Sequence, residues 1–454
     1  MNILDRRIAP INPDPIHASF PETSEHTLSN GLKVMIYEQH DVPVVHLRLY
    51  VRAGSVLDGE TPKASSFVFA LLQQGTTTRT AKDIADEIEF LGADLSASSS
   101  MDFGNISLTV MSKHLEKGVE ILSDITLNPS FAESEIEFVR QQSLSRLQFS
   151  KADAARLSSE AFNRLIYAPH PYGNPSLGTV ESLNALTREH LIAFYSTHFL
   201  ANRSFITIAG DVDSESILAM LEKHFGAWTA REVEEPVFEL PKRREHNEVR
   251  IVQKEGSVQS VLNIGHLSIA RNHDDFIPLY VANTILGGYF GSRLNMNLRE
   301  TQGFTYGIRS GFDALRLAGD FNISTQVRNE VTGEAIAQIL FEVERFLQDG
   351  VSEKELTAAK RYITGNFVIQ NESASSIALR LANVELYGLP KSYYNTYIDA
   401  INAVERQTLL HIVQKHLYPK SFLFVIAGNA SAVRAQVERF GSLSVEDADG
   451  NTIT

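Results

Sequence analysis

The chain is written twice. LTREHLIAFYSTHFLANRSFITIAGDV, beginning at Leu186, and VERQTLLHIVQKHLYPKSFLFVIAGNA, beginning at Val404, follow one plan. Each reads as an amphipathic helix ending in a histidine, then a short polar loop, an apolar strand and Ala-Gly. His198 and His416 stand 218 residues apart, and so do Ala209 and Ala427. A helix follows each strand, SESILAMLEKHFG in one case and SAVRAQVERFG in the other. Upstream, SEIEFVRQQSLSRL matches SEKELTAAKRYITGNF at nearly the same spacing. Matched order and spacing across a whole half indicate an internal duplication into two halves of about 220 residues.

The pattern inside a half sets the fold class. HLRLYVRAG alternates Leu47, Leu49 and Val51 against Arg48, Tyr50 and Arg52, the period of a half-buried strand. AKDIADEIEFLG reads as a helix, residues near 93–98 and 105–110 as two strands, and about 113–168 as a long helical block. SFITIAG is the last strand of the half. Strands and helices come in blocks, which predicts an α+β fold: two homologous halves, each a mainly antiparallel sheet with helices packed on one side. The expected division is 1–229, a connector at 230–248 rich in Glu, Pro, Lys and Arg, and 249–454.

Charge and composition remove several function classes. The net charge of −14 disfavours nucleic acid and anionic membranes, which attract basic surfaces. The densest basic run, Lys242 to Arg244, is short and reads as part of a solvated connector. With no cysteine, disulfides, thiol nucleophiles and cysteine-built zinc sites are excluded. MNILDRRIAPINPDPIH has no apolar stretch of signal-peptide length, and no run approaches the roughly 20 residues of a membrane span. A soluble, cytoplasmic protein is expected.

The usual catalytic motifs are missing. No two histidines are three or four residues apart, so no helix offers a two-imidazole metal site, and isolated ones such as His198 read as packing or surface residues. LGGYFGSRL, at Leu286 to Leu294, is glycine-rich but is not followed by the Gly-Lys-Ser/Thr of a phosphate loop, and there is no Gly-x-Ser-x-Gly. Two features remain. KASSFVFALLQQG, from Lys63, reads as a buried helix with Phe67, Val68, Leu71 and Leu72 on its packed face. Its other face, with Ser66, Phe69, Ala70 and Gln73, carries no charge. LRETQGFTYG sets Arg299 seven residues before Tyr306. A guanidinium and a phenol can grip a peptide carbonyl or stabilise an oxyanion, although spacing alone favours a plain helix arginine and strand tyrosine.

LSNGLKVMIYEQHDVPVVHLRLYVRAGSVLDG, HPYGNPSLGTVESLNALTREHLIAFYSTHF and LGGYFGSRLNMNLRETQGFTYGI resemble segments of the pitrilysin/insulinase family of zinc peptidases, which includes the processing-peptidase subunits. The resemblance covers nearly all of the chain. It implies that the chain is half of a clamshell around a closed chamber. In that family a His-x-x-Glu-His motif precedes Gly-Thr. Anchored on Gly75-Thr76, its positions fall on SFVFA: Ser66 and Ala70 replace the histidines and Phe69 the glutamate. The third ligand, a glutamate, is replaced by Arg146, 76 residues beyond Ala70. Serine, alanine and arginine are not zinc ligands, so no metal is expected in this chain. The Arg299/Tyr306 pair, by contrast, matches the family's second-half substrate contact, and Arg293 of the same motif is expected to be structural.

The resemblance therefore implies the non-metal subunit of a heterodimeric zinc endopeptidase. Zinc comes from a homologous partner with an intact motif, and this chain contributes Arg299 and Tyr306 in trans towards peptides or unfolded segments. The alternative is a non-proteolytic structural or peptide-binding subunit of a larger complex. The similar surfaces of the two halves leave a homodimer open for the isolated chain.

Overall fold

The computed structural model describes residues 19–453, so the reading of the first seventeen residues lies outside the described residues. The first sheet has six strands: β1 (Ser24–Thr27), β2 (Lys33–Glu38), β3 (Val44–Val51), β4 (Asp94–Ser99), β5 (Gly104–Met111) and β6 (Ser204–Gly210), in the order β1-β2-β6-β3-β5-β4. Only the β2–β6 pair is parallel. The second sheet has seven: β7 (Glu248–Gln253), β8 (Gln259–Ser268), β9 (Ile308–Ala314), β10 (Gly319–Arg328), β11 (Leu423–Gly428), β12 (Ser442–Glu446) and β13 (Thr452–Ile453), in the order β13-β12-β7-β11-β8-β10-β9. The β7–β11 and β7–β12 pairs are parallel, and the other pairs are antiparallel.

The repeat is visible strand for strand. β2 pairs with β6 as β7 pairs with β11, and each of these parallel pairs is flanked by an antiparallel strand, β3 or β8. Helices Arg188–His198 and Arg406–His416 keep the 218-residue spacing at both ends. One face of each sheet carries the helices of its own half. Val45, Leu47, Leu49 and Val51 meet Val119, Leu122 and Ile125 in the first core, and Leu262 and Ile264 meet Ile336, Ile339 and Val343 in the second.

The opposite faces are covered by exchange. Helix Ala154–Tyr167, from the first half, lies across β8 and β11 of the second sheet, where Leu157, Phe162 and Ile166 pack against Val252, Leu423, Val425 and Ala427. Helix Ala374–Tyr387, from the second half, lies across β2, β3 and β6 of the first sheet, with Ile377, Leu381 and Leu386 against Met35, Tyr50 and Phe205. Tyr50, expected on the open face of β3, is therefore buried and stacks on Phe205 with ring centroids 4.9 Å apart. Covering on both sides is also why every residue of β6 and β11 is buried.

Polar groups follow the same seam. The Tyr167 hydroxyl donates to Asp320 Oδ2 on β10 at 2.5 Å, and Asn263 Nδ2 donates to Ser158 Oγ at 2.8 Å. Buried Glu446 accepts from Arg164 at 2.5 Å and from Arg250 at 2.9 Å. Between Phe225 and Glu248 there is no helix or strand. That connector is tied to the first half by Arg203 to Glu235 at 2.9 Å and by Arg244 to the Leu165 carbonyl at 2.6 Å. No described helix is long and apolar enough to cross a membrane.

Candidate functional site

KASSFVFALLQQG folds as helix Ala64–Leu71, with Phe67, Val68, Leu71 and Leu72 buried. No side chain caps it from the N-cap position; instead, the carboxylate of buried Asp58 accepts the backbone N–H groups of Lys63 and Ser65 at 2.9 and 2.8 Å. These bonds hold Lys63 in a left-handed conformation, φ 80°. The Lys63 side chain then turns back over the helix. Its ammonium donates to Ser66 Oγ at 2.6 Å and to the Ser176 carbonyl at 2.7 Å. Burial pushes its pKa down.

The uncharged face of this helix points at two kinds of neighbour. Phe69 is fully buried beside Phe199, with ring centroids 5.0 Å apart. Its ring lies directly over Gly104 of β5, where an added Cβ would come within 1.9 Å of it. Ser66 borders a cavity of about 290 Å³ whose lining includes Ser99, Ser100, Tyr172, Ser176 and Thr179. Ala70 brings no donor atom. Arg146 lies on the neighbouring helix, Glu133–Ser150, and is exposed. The four positions thus present a hydroxyl already engaged by a cation, a ring, a methyl group and a guanidinium. This set does not fit a zinc ion, which needs neutral imidazoles and carboxylate. Lys63 was not singled out as a site residue in the sequence, although it opens the KASS stretch; its approach to Ser66 depends on a left-handed backbone that no sequence pattern announced.

In the second half, LGGYFGSRLNMNLRETQGFTYG is built around two π-helical segments, Thr284–Gly288 and Asn295–Thr301. Gly287 is required because an added Cβ would meet Ser310 of β9 at 2.3 Å. Asn295 ties the second segment to β9, donating to the Ile308 carbonyl at 2.8 Å. Arg293 is structural: it binds both Glu355 oxygens, at 2.6 and 3.0 Å, and the Gly350 carbonyl at 2.7 Å. Burial alone would raise the Glu355 carboxyl, but Arg293 and Ser352 outweigh it and hold its pKa at about 2.

Arg299 sits on the second π-helical segment, and Tyr306 lies in the loop before β9 rather than in a strand. Among the described residues the Arg299 guanidinium makes no hydrogen bond; its nearest acid is Glu300 at 3.6 Å, and it rests 4.5 Å above the ring of Phe290. Tyr306 is 96% exposed. Among the described residues neither side chain donates a hydrogen bond, and Phe290 and Met296, which flank Arg299 in the sequence, are exposed as well.

Residues 33–180 match the family model described as insulinase, peptidase family M16, and residues 185–363 match the one described as the peptidase M16 inactive domain. The chain belongs to peptidase family M16. A Mycobacterium leprae protein named as an uncharacterised zinc protease is 28% identical over 87% of this chain and 90% of its own length. A Helicobacter pylori relative, named non-peptidase homolog YmxG, is 24% identical over 89% of this chain and 94% of its own length. Among solved structures, a peptidase M16 inactive domain from Pseudomonas fluorescens superposes with a TM-score of 0.85 at 26% identity, covering 90% of this chain and 98% of that one. The expected fold of two related α+β halves is that of this M16 neighbour, and the chain is an M16 member in which the zinc motif is replaced.

Proposed function

We propose that this chain is the non-metal subunit of a heterodimeric M16 endopeptidase. A homologous partner with an intact His-x-x-Glu-His brings the zinc and the general base. This chain closes the chamber and offers Arg299 and Tyr306 to the substrate held at the partner's centre. The observation that carries the reading is the contrast between the two sites. Ser66 is engaged by Lys63 and Phe69 is packed in the core, whereas among the described residues Arg299 and Tyr306 make no side-chain hydrogen bond.

The chemistry follows from those donors. A guanidinium and a phenol O–H directed at one carbonyl oxygen hold the peptide in register and strengthen their bonds as negative charge builds on that oxygen. The Phe290 ring under Arg299 supports the guanidinium plane without using any of its N–H groups. An extended peptide or an unfolded segment is the substrate class, because only an exposed backbone presents such a carbonyl.

The test is peptide cleavage by this chain alone, and by this chain co-purified with an M16 member carrying the full motif. Cleavage is expected only in the mixture. Arg299→Ala and Tyr306→Phe should each lower kcat/KM on the order of a hundredfold, while gel filtration still shows the pair assembled. Normal turnover in both variants would sink the proposal. Assembly without cleavage in any mixture would favour the structural or peptide-binding reading.

A further inference from the structure

Away from both sites, His273, Asp275 and His416 bring one ligand atom each to within 4.8 Å of one another. His416 ends helix Arg406–His416 and is 7% exposed. Asp275 precedes helix Phe276–Asn283, and His273 lies in the preceding loop, open to solvent. Asp275 Oδ2 is 2.7 Å from His416 Nε2 and 3.9 Å from His273 Nδ1. The two imidazoles stand almost perpendicular, with centroids 5.4 Å apart.

Two observations set this cluster apart from ordinary surface polarity. Asp275 holds the N-cap position of its helix, where an aspartate usually accepts a backbone N–H, yet it makes no cap bond. Its carboxylate is turned to His416 and to the Lys415 ammonium, which donates to the same Oδ2 at 2.6 Å. The fold does not impose the arrangement either. In the first half the corresponding helices, Ala64–Leu71 and Arg188–His198, pack in the same way. There the N-cap residue is Lys63, and the Nδ1 of His198 is buried without a hydrogen bond.

We propose that His273, Asp275 and His416 bind one borderline divalent cation of the zinc, cobalt or nickel class. Two imidazoles and one carboxylate are the donor types these ions take. Bonds of 2.0–2.1 Å in a tetrahedron place ligand atoms about 3.3 Å apart. Of the three separations, that between Asp275 and His416 must open by roughly half an ångström around such an ion, and the other two, 3.9 Å and no more than 4.8 Å, must close. His273 Nδ1, which now accepts the Asp275 N–H at 3.0 Å, turns to the cation. Lys415, half exposed, swings into solvent. The open side at His273 leaves a fourth position for water. The bound ion fastens the start of helix Phe276–Asn283, which runs directly into the first π-helical segment upstream of Arg299.

Cobalt(II) absorption and zinc competition against a chromophoric chelator, on the full chain, test the site. One equivalent per chain is expected. His273→Ala, in an exposed loop, should weaken binding at least tenfold with an unchanged thermal transition, and His416→Ala should do the same wherever it still folds. Lys415→Met should tighten binding several-fold, since the competing ammonium is gone; a purely structural hydrogen-bonded cluster would not respond in this way. Absence of binding in the unmodified chain, binding that survives His273→Ala, or an unchanged affinity in Lys415→Met would each overturn the proposal. Neither arm depends on peptidase activity.

Discussion

Asp320 gives the sharpest handle on the seam between the halves. It is 2% exposed on β10, directly opposite Asp313 on β9 and bonded to Tyr167 from the other half. Burial, reinforced by Asp313 and only partly offset by the Tyr167 hydroxyl, pushes its pKa from 3.8 up to about 7. Between these two values the folded protein holds a proton that the unfolded chain has released. Stability contributed by this group is therefore fully present below the unfolded pKa and is lost as pH rises towards 7. Each pH unit in that window removes about 1.4 kcal/mol, and the whole shift amounts to roughly 4 kcal/mol. Asp320→Asn keeps the shape and the acceptor for Tyr167 but cannot ionise. Its stability advantage over the unmodified chain should grow by roughly 2–3 kcal/mol between pH 5 and pH 8, read from urea denaturation at the two pH values. A difference that does not change with pH would refute the assignment of a shifted, buried carboxyl.

Two further outcomes follow from packing. Gly104→Ala drives a methyl group into the Phe69 ring and should cost on the order of 1–3 kcal/mol; combining it with Phe69→Leu should recover part of that loss, and strictly additive effects in the double-mutant cycle would contradict the contact. Residues 19–229 expressed alone leave Leu157, Phe162, Ile166 and Tyr167 without their sheet, forfeiting roughly 6–12 kcal/mol of burial, as much as the whole stability of many domains. That fragment should aggregate or stay unfolded by circular dichroism, and a soluble, cooperatively melting fragment would argue against the exchange.

Much of this architecture was legible because duplication supplies its own control. The 218-residue spacing placed helices Arg188–His198 and Arg406–His416 and strands β6 and β11 without reference to any other protein. What the one-sided sheet model left out was the cover on the second face. The signal was present: SFITIAG and LFVIAG show no alternation, as expected of strands buried on both sides. No local pattern, however, could say that the cover comes from the other half. The positions aligned with the zinc motif could be named from Gly75-Thr76, but not the backbone turn that brings Lys63 onto Ser66. Tyr306 was readable as a residue and not as a conformation, since two π-helical segments shift the register in which a regular helix would have been drawn. The His273–Asp275–His416 cluster escaped because His416 lies 141 residues beyond Asp275 and meets it only through helix packing.

The reciprocal placement of helices Ala154–Tyr167 and Ala374–Tyr387 also says what a single copy of this unit would be. Alone, it would own one apolar helix with nowhere to lie and one apolar sheet face with nothing upon it. Each deficiency is the other's remedy only in a second molecule, and the remedy is mutual, so such a unit closes on itself as a two-fold pair and not as a growing fibre. Joining two copies end to end through a connector without regular structure leaves that mutual exchange of helices as it is. It converts a bimolecular encounter into an intramolecular one, and leaves each copy free to diverge in chemistry while remaining bound to the other in structure.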